Sequence, residues 1–286
     1  MNVFVIGLGL IGGSMALDIK QSNKKAHIMG FDANEAHMNR ALEIGFIDEK
    51  ASPEDVSKAD VVIVSIPVNA SVKLIPGLLD KVKDNALVFD VGSTKSLICK
   101  ALEGHEKRRN FLATHPIAGT EFSGPEAAVE GLFRGKTNIV CEVEKTAFKL
   151  QEKAFGIFND LGMRICYMEP KSHDKHIAYV SHLSHISSFM LGKTVIEKEK
   201  NERDIFDMAG SGFESTVRLA KSSPEMWQPI FEHNKENVIE TLDEYIANLQ
   251  KFKELMEAGN FDAIYKEMAD TNRIKEILKG ISIKTS

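Results

Sequence analysis

Apolar residues in the first half of the chain come in short runs without polar alternation at positions 3–6, 28–31, 61–66, 87–89 and 111–114. Each run ends at a small or polar residue: Gly7, Asp32, Pro67, Asp90 and His115. Runs without polar alternation predict parallel strands buried on both faces. The intervening segments are long enough for crossover helices, so this half reads as a βαβ series. A last pair of strands is predicted over 137–143 and 164–168, around a helix over 147–161. Beyond about residue 170 the period changes. Tyr179, Leu183, Ile186 and Met190 recur at three and four, predicting a helix over 173–197. The run 197–204 is charged and reads as a solvated helix end or loop.

The longest predicted helix covers 229–258 and stops at Gly259. Val238, Leu242, Tyr245, Leu249, Phe252 and Met256 form its stripe, widened by Ile239 and Ile246. Such a helix spans roughly 40 Å. A small helical domain covers so long an apolar face poorly, whereas a second subunit covers it well. A C-terminal dimerisation domain is therefore expected, with an intramolecular bundle as the alternative. The predicted division is residues 1–169 and 170–286.

Composition narrows the partners. The 286 residues are 43% hydrophobic and 27% charged, with a net charge of −5, so the basic footprint of a nucleic-acid binder is missing. No apolar run approaches the ~20 residues of a membrane helix. The first strand starts at about Asn2, which argues against a signal peptide. Cys99, Cys141 and Cys166 are odd in number and form no Cys-x-x-Cys pair. They read as core or helix residues of a reducing, cytoplasmic protein.

Gly7-Leu8-Gly9-Leu10-Ile11-Gly12 follows the first strand directly and opens a helix, and Asp32 stands twenty residues beyond Gly12 at the end of the second strand. A lone Gly-x-Gly-x-x-Gly is weak, but with strand, helix and acid in place it is the dinucleotide fingerprint. Gly7 allows the turn, Gly9 a close backbone approach and Gly12 helix-on-strand packing, while helix N–H groups at Leu10 and Ile11 face phosphate charge. Asp32 favours ribose hydroxyls and repels a 2′-phosphate. Ala33, Asn34 and Glu35 follow it without a cation, so NAD is expected over NADP. Ser65 and Pro67, at another strand end, are expected to line the nicotinamide side.

Two further strand ends carry polar clusters, Asp90-Val91-Gly92-Ser93-Thr94-Lys95 and Thr114-His115-Pro116-Ile117-Ala118-Gly119-Thr120-Glu121. A histidine beside nicotinamide suits removal of a hydroxyl proton while hydride leaves the same carbon. Ser93 is expected to orient that imidazole. His173, Asp174 and His176 read as helix-start polar residues or hinge contacts, and Trp227 as core. His182 and His185 lack a third ligand at metal spacing, so no metal is expected.

These segments, with Ser181-His182-Leu183-Ser184-His185, Gly212-Phe213-Glu214-Ser215-Thr216-Val217-Arg218-Leu219-Ala220 and Pro224-Glu225-Met226-Trp227, resemble the prephenate dehydrogenase family in order along nearly the whole chain. This chain has Ser184 where many members have proline. The resemblance implies an α/β fold, an N-terminal Rossmann-type doubly wound sheet with a C-terminal all-α dimerisation domain. It implies a homodimer performing NAD-dependent oxidative decarboxylation of prephenate to 4-hydroxyphenylpyruvate, in tyrosine biosynthesis. By the same resemblance His115 bonds the ring hydroxyl and Ser93 supports it. Arg218 binds a carboxylate, Glu121 lies at the pocket mouth, and His185 lines the pocket with Ser181 and His182 nearby. Arogenate is the alternative substrate. A 3-hydroxyacid dehydrogenase is a weaker reading, because no Lys-x-x-x-Asn pair stands at Lys193 or Lys235. A non-catalytic dinucleotide sensor is disfavoured by the presence of His115 and Ser93. No fused mutase or regulatory domain is expected on either flank of these motifs.

Overall fold

The computed structural model describes residues 1–200, 202 and 204–285, with side chains through residue 279. Eight strands form one sheet: β1 Asn2–Ile6, β2 His27–Phe31, β3 Glu49–Lys50, β4 Val61–Val64, β5 Leu87–Asp90, β6 Phe111–Pro116, β7 Thr137–Cys141 and β8 Arg164–Tyr167. Their spatial order is β3-β2-β1-β4-β5-β6-β7-β8. All neighbours are parallel except β6 and β7. The chain leaves β1 in one direction, to β2 and β3, and then crosses to β4 on the other side. That reversal opens a crevice above the C-terminal ends of β1 and β4, where such sheets place ligands.

Alternate residues of the central strands feed two different cores, which explains why these runs are apolar throughout. Val3, Val5, Val61 and Ile63 pack with Met15 and Ile19 of helix α1 (Leu10–Ser22). Helix α2 (Glu35–Ile44) begins at Asn34, whose side chain accepts the Ala36 N–H, and ends at Gly45 with φ +89°. Phe4, Ile6, Val62 and Val64 pack on the opposite face with Ile75, Leu78 and Leu79 of α3 (Val68–Lys81) and Ile98 of α4 (Ser96–Ala101). Helix α5 (Phe148–Asp160) returns to the first face through Leu150, Ala154 and Phe158.

The remainder is helical: α6 Pro170–Ile177, α7 Leu183–Glu199, α8 Ser211–Val217, α9 Pro224–His233, α10 Lys235–Glu257, α11 Phe261–Thr271 and α12 Ile274–Thr285. Among the described residues no helix is long and apolar enough to cross a membrane. Trp227 and Ile230 of α9 pack on Val68 of α3, seating the helices beside the strand ends.

Two expectations need correction. The helix expected over 229–258 is two helices, broken at Asn234 with φ −114° and ψ 24°. The apolar stripe continues across the break, so periodicity alone missed it. The helix expected over 173–197 contains a wide turn, Ala178–His182, in which the Leu183 N–H reaches back five residues to the Ala178 carbonyl. Single wide turns of this kind concentrate at functional sites. The charged run 197–204 includes residues 201 and 203, which lie outside the described residues; α7 ends within it at Glu199.

Candidate active site

The glycine loop is built by close approach. Gly7 has φ +92°, and a Cβ there would lie 2.4 Å from the Ser65 carbonyl oxygen. A Cβ at Gly12 would lie 2.1 Å from the Gly7 oxygen. At Gly9 the nearest atom is the Gly124 nitrogen, at 3.9 Å. Gly7 and Gly12 thus hold the loop against β4, while Gly9 leaves open space above the start of α1, where Leu10 and Ile11 form the first turn. That space fits a pyrophosphate set on helix N–H groups. The Ser65 hydroxyl donates to the Gly7 oxygen at 2.7 Å, so it pins the loop, and Pro67 caps α3 beside it. Asp32 accepts the Leu8 N–H at 2.9 Å and the Asn34 N–H at 2.9 Å, with His37 3.4 Å from its Oδ1. It still presents a partly exposed carboxylate at the end of β2, as a ribose partner requires. The segment after β6 folds back over α1 through Ser14 to the Val129 N–H and Asp18 to the Gly131 N–H.

His115 lies near the end of β6, opposite Ile139 of β7 and almost fully buried. Its Nδ1 is 2.9 Å from Nε2 of His173, whose own Nδ1 is 2.8 Å from Oδ1 of Asp174. The Asp174 carboxylate also accepts the N–H groups of Lys95 and Ser96, at 2.8 Å each. Lys95 is wholly buried; its ammonium bonds the Asp90 carboxylate and, at 2.8 Å, the Thr114 carbonyl. Burial, then the neighbouring His173, Lys95 and His182, push the His115 pKa well below 6.5. The ring is therefore neutral at pH 7 and free to accept a proton. Burial alone would raise Asp174, but hydrogen bonds from His173, Ser96 and Lys95 outweigh it and hold the carboxyl below its usual range.

A second group of residues comes from the wide turn and the helices after it. His185 bonds the Ser181 carbonyl through Nδ1 at 2.9 Å and stacks on Trp227, with ring centroids 3.6 Å apart. His182 is buried, its Nδ1 accepting from Asn234 Nδ2 at 3.2 Å, and burial lowers its pKa to about 4. Arg218 is half exposed and bonds Glu121 at 3.0 Å. The Glu121 carboxyl is held below its usual range by its own backbone N–H and by Arg218.

A family model described as the nucleotide-binding domain of prephenate dehydrogenase matches residues 15–167. A second, its dimerization domain, matches residues 169–270. The chain belongs to the prephenate dehydrogenase family. Among its relatives, a prephenate dehydrogenase of Bacillus subtilis is 31% identical, the match covering 93% of this chain and 72% of that one. A cyclohexadienyl dehydrogenase of Zymomonas mobilis is 27% identical over 97% and 96%. The crystal structure of prephenate dehydrogenase from A. aeolicus, in complex with hydroxyphenyl propionate and NAD+, superposes with a TM-score of 0.88 at 33% identity, covering 97% of each chain.

Within this family fold, the residues singled out by sequence fall into three places. Gly7, Gly9, Gly12, Asp32 and Ser65 surround the crevice, and His115 stands at the next strand ends. Arg218, Glu121, His185 and Ser181 gather on the helical side. Two expected relations differ in detail. Among the described residues Ser93 makes no hydrogen bond to His115; the ring nitrogen is taken by His173. Trp227 is buried as expected, yet it stacks on His185 and does not simply fill the core. His173 and Asp174, read from sequence as helix-start polar residues, are buried and bonded to His115. The adjacent His-Asp pair just after a helix-starting proline was the available signal, but burial was not visible in it.

Proposed function

We propose that this protein catalyses the NAD-dependent oxidative decarboxylation of prephenate to 4-hydroxyphenylpyruvate. The observation that carries the reading is the neutral, buried His115 at a strand end beside a glycine loop fit for a dinucleotide. Gly7, Gly9, Leu10, Ile11, Gly12, Asp32, Ser65 and Pro67 form the cofactor side. NAD, when bound, accepts the hydride that leaves C4 of the substrate. His115 takes the C4 hydroxyl proton as the carbonyl develops, and returns it to the phenol oxygen once CO2 has left and the ring is aromatic. No net proton is consumed. Arg218 grips the ring carboxylate of the dianion, His185 and Ser181 line the side-chain end, and Ser93 faces the hydroxyl region. Glu121 pairs with Arg218 on the same side of the pocket.

On this reading residues 1–169 and 170–286 are the cofactor and dimerisation domains of a cytoplasmic homodimer. Ile246, Leu249, Phe252 and Met256 of α10 are each at least 41% exposed in the single chain, and a second copy would cover them. The test is absorbance at 340 nm with prephenate or arogenate, each with NAD or NADP. Prephenate with NAD should give the highest kcat/KM. No rise with any pair would overturn the enzymatic reading, and a preference for arogenate would overturn the substrate.

A further inference from the structure

We infer that His173 and Asp174 are positioning residues that fix His115 in its Nδ1–H tautomer, leaving Nε2 as the proton acceptor. An ionised carboxylate only accepts hydrogen bonds. Asp174 already takes the Lys95 and Ser96 N–H groups, which fixes its orientation. The His173 Nδ1 facing its Oδ1 must therefore carry a hydrogen. A neutral imidazole has one N–H, so His173 Nε2 is an acceptor. The only proton that can fill the 2.9 Å contact is then one on His115 Nδ1. That leaves the lone pair of His115 on Nε2, which has no protein partner among the described residues.

The arrangement also matters after the proton arrives. When His115 Nε2 takes the hydroxyl proton, an N–H bond forms as the O–H bond breaks, and the ring becomes a cation. The other groups facing it are unfavourable or neutralised. Lys95 is a cation whose charge is matched by Asp90, and His182 is a neutral ring. Asp174 is the anion connected to the ring through hydrogen bonds, with His173 between them. Losing that connection leaves the cation without support and frees the ring to adopt the other tautomer, which presents N–H to the substrate. The inference rests on the reading of His115 as the base in the proposed reaction.

The decisive measurement is a long-range 1H–15N spectrum of the histidine side chains in the intact protein at pH 7.5, with His115 assigned from His115→Asn. It needs no substrate, so it stands apart from the identity of the reaction. Wild type should show His115 as Nδ1–H, and His173→Leu should move it to Nε2–H. In the assay, His173→Leu should lower kcat roughly 10–100-fold, part of the range that proton transfer supplies, with both KM values within about threefold. His173→Gln, whose amide oxygen can accept from His115 Nδ1, should recover most of the loss. Wild-type His115 found as Nε2–H, including the case of a doubly protonated His173, overturns the inference. So does a kcat within threefold of wild type in His173→Leu. An Nδ1–H ring in a protein that oxidises neither prephenate nor arogenate would refute the proposed function and leave the tautomer assignment intact.

Discussion

At the level of single residues, the site depends on one uncharged imidazole and one exposed guanidinium. His115→Asn should lower kcat by roughly 10²–10⁴-fold, the range for a lost general base, with little change in KM; a loss under threefold would remove the assignment. Because its pKa lies well below 6.5, the base form is already complete at neutral pH. The acidic limb of kcat/KM should therefore appear only well under pH 6.5, and it should vanish in His115→Asn. Arg218 carries its charge throughout this range, so Arg218→Ala should act on affinity. Its KM for prephenate should rise about 10–100-fold, from loss of a charged hydrogen bond of about 1.5–3 kcal/mol, while the limb persists. Gly12→Ala would place a Cβ 2.1 Å from a backbone oxygen. Backbone has to shift to relieve that contact, so NAD binding followed by fluorescence should weaken sharply; unchanged affinity would contradict the tight-loop geometry.

The elements show where sequence patterns were sufficient and where they were not. Strands buried on both faces announce themselves as apolar runs without polar alternation, and the glycine fingerprint marks its own strand and helix. The two-residue β3 is polar and exposed, so no apolar signal existed for it. The break at Asn234 was hidden for the opposite reason, since the apolar period runs through it. Asn234 is nevertheless buried, donating to the Asp174 carbonyl at 2.6 Å and to His182. The roles of His173 and Asp174 were illegible because a polar helix start is usually solvated, and it is the packing of α6 against α4 and α10 that buries this one. Helix α10, shortened to Lys235–Glu257, still spans roughly 35 Å with an exposed stripe. Ile246→Asp combined with Leu249→Asp should convert a dimer to a monomer of 31.8 kDa by light scattering. A wild-type protein that is already monomeric at micromolar concentration would refute the dimer.

For the whole molecule, the site introduces a sensitivity to acid. His115, His182 and His185 are all held neutral, chiefly by burial. A group with a depressed folded pKa contributes its full stability above the unfolded value, near 6.5, and loses it as pH falls toward the folded one. For His182, held at about 4, the loss across that window is on the order of 3 kcal/mol. Urea midpoints should therefore fall from pH 7 to pH 4.5, and His182→Leu should flatten the dependence; a midpoint independent of pH would contradict this. The same clustering ties the cofactor sheet to the helices, since the bonds from Asp174 to Lys95 and Ser96 join α6 to α4. The groups that support the base are therefore brought together only where the helical part packs on the sheet.

The wide turn at Ala178–His182 sets the angular phase between the two helices it joins. At roughly 100° per residue, the step from His173 to His185 would leave their side chains roughly 120° apart around a regular helix. One extra residue absorbed in the turn reduces that to roughly 20°, so both rings look toward the same side. Winding this turn as regular helix with every residue kept would dephase its two halves, whereas deleting one residue from it would leave eleven regular steps and the same roughly 20°. In the first case the imidazole that supports His115 and the one that stacks on Trp227 would no longer share a direction; in the second they would. Removal of Val180, the exposed residue of the turn, is therefore expected to smooth the helix while both rings keep their common side.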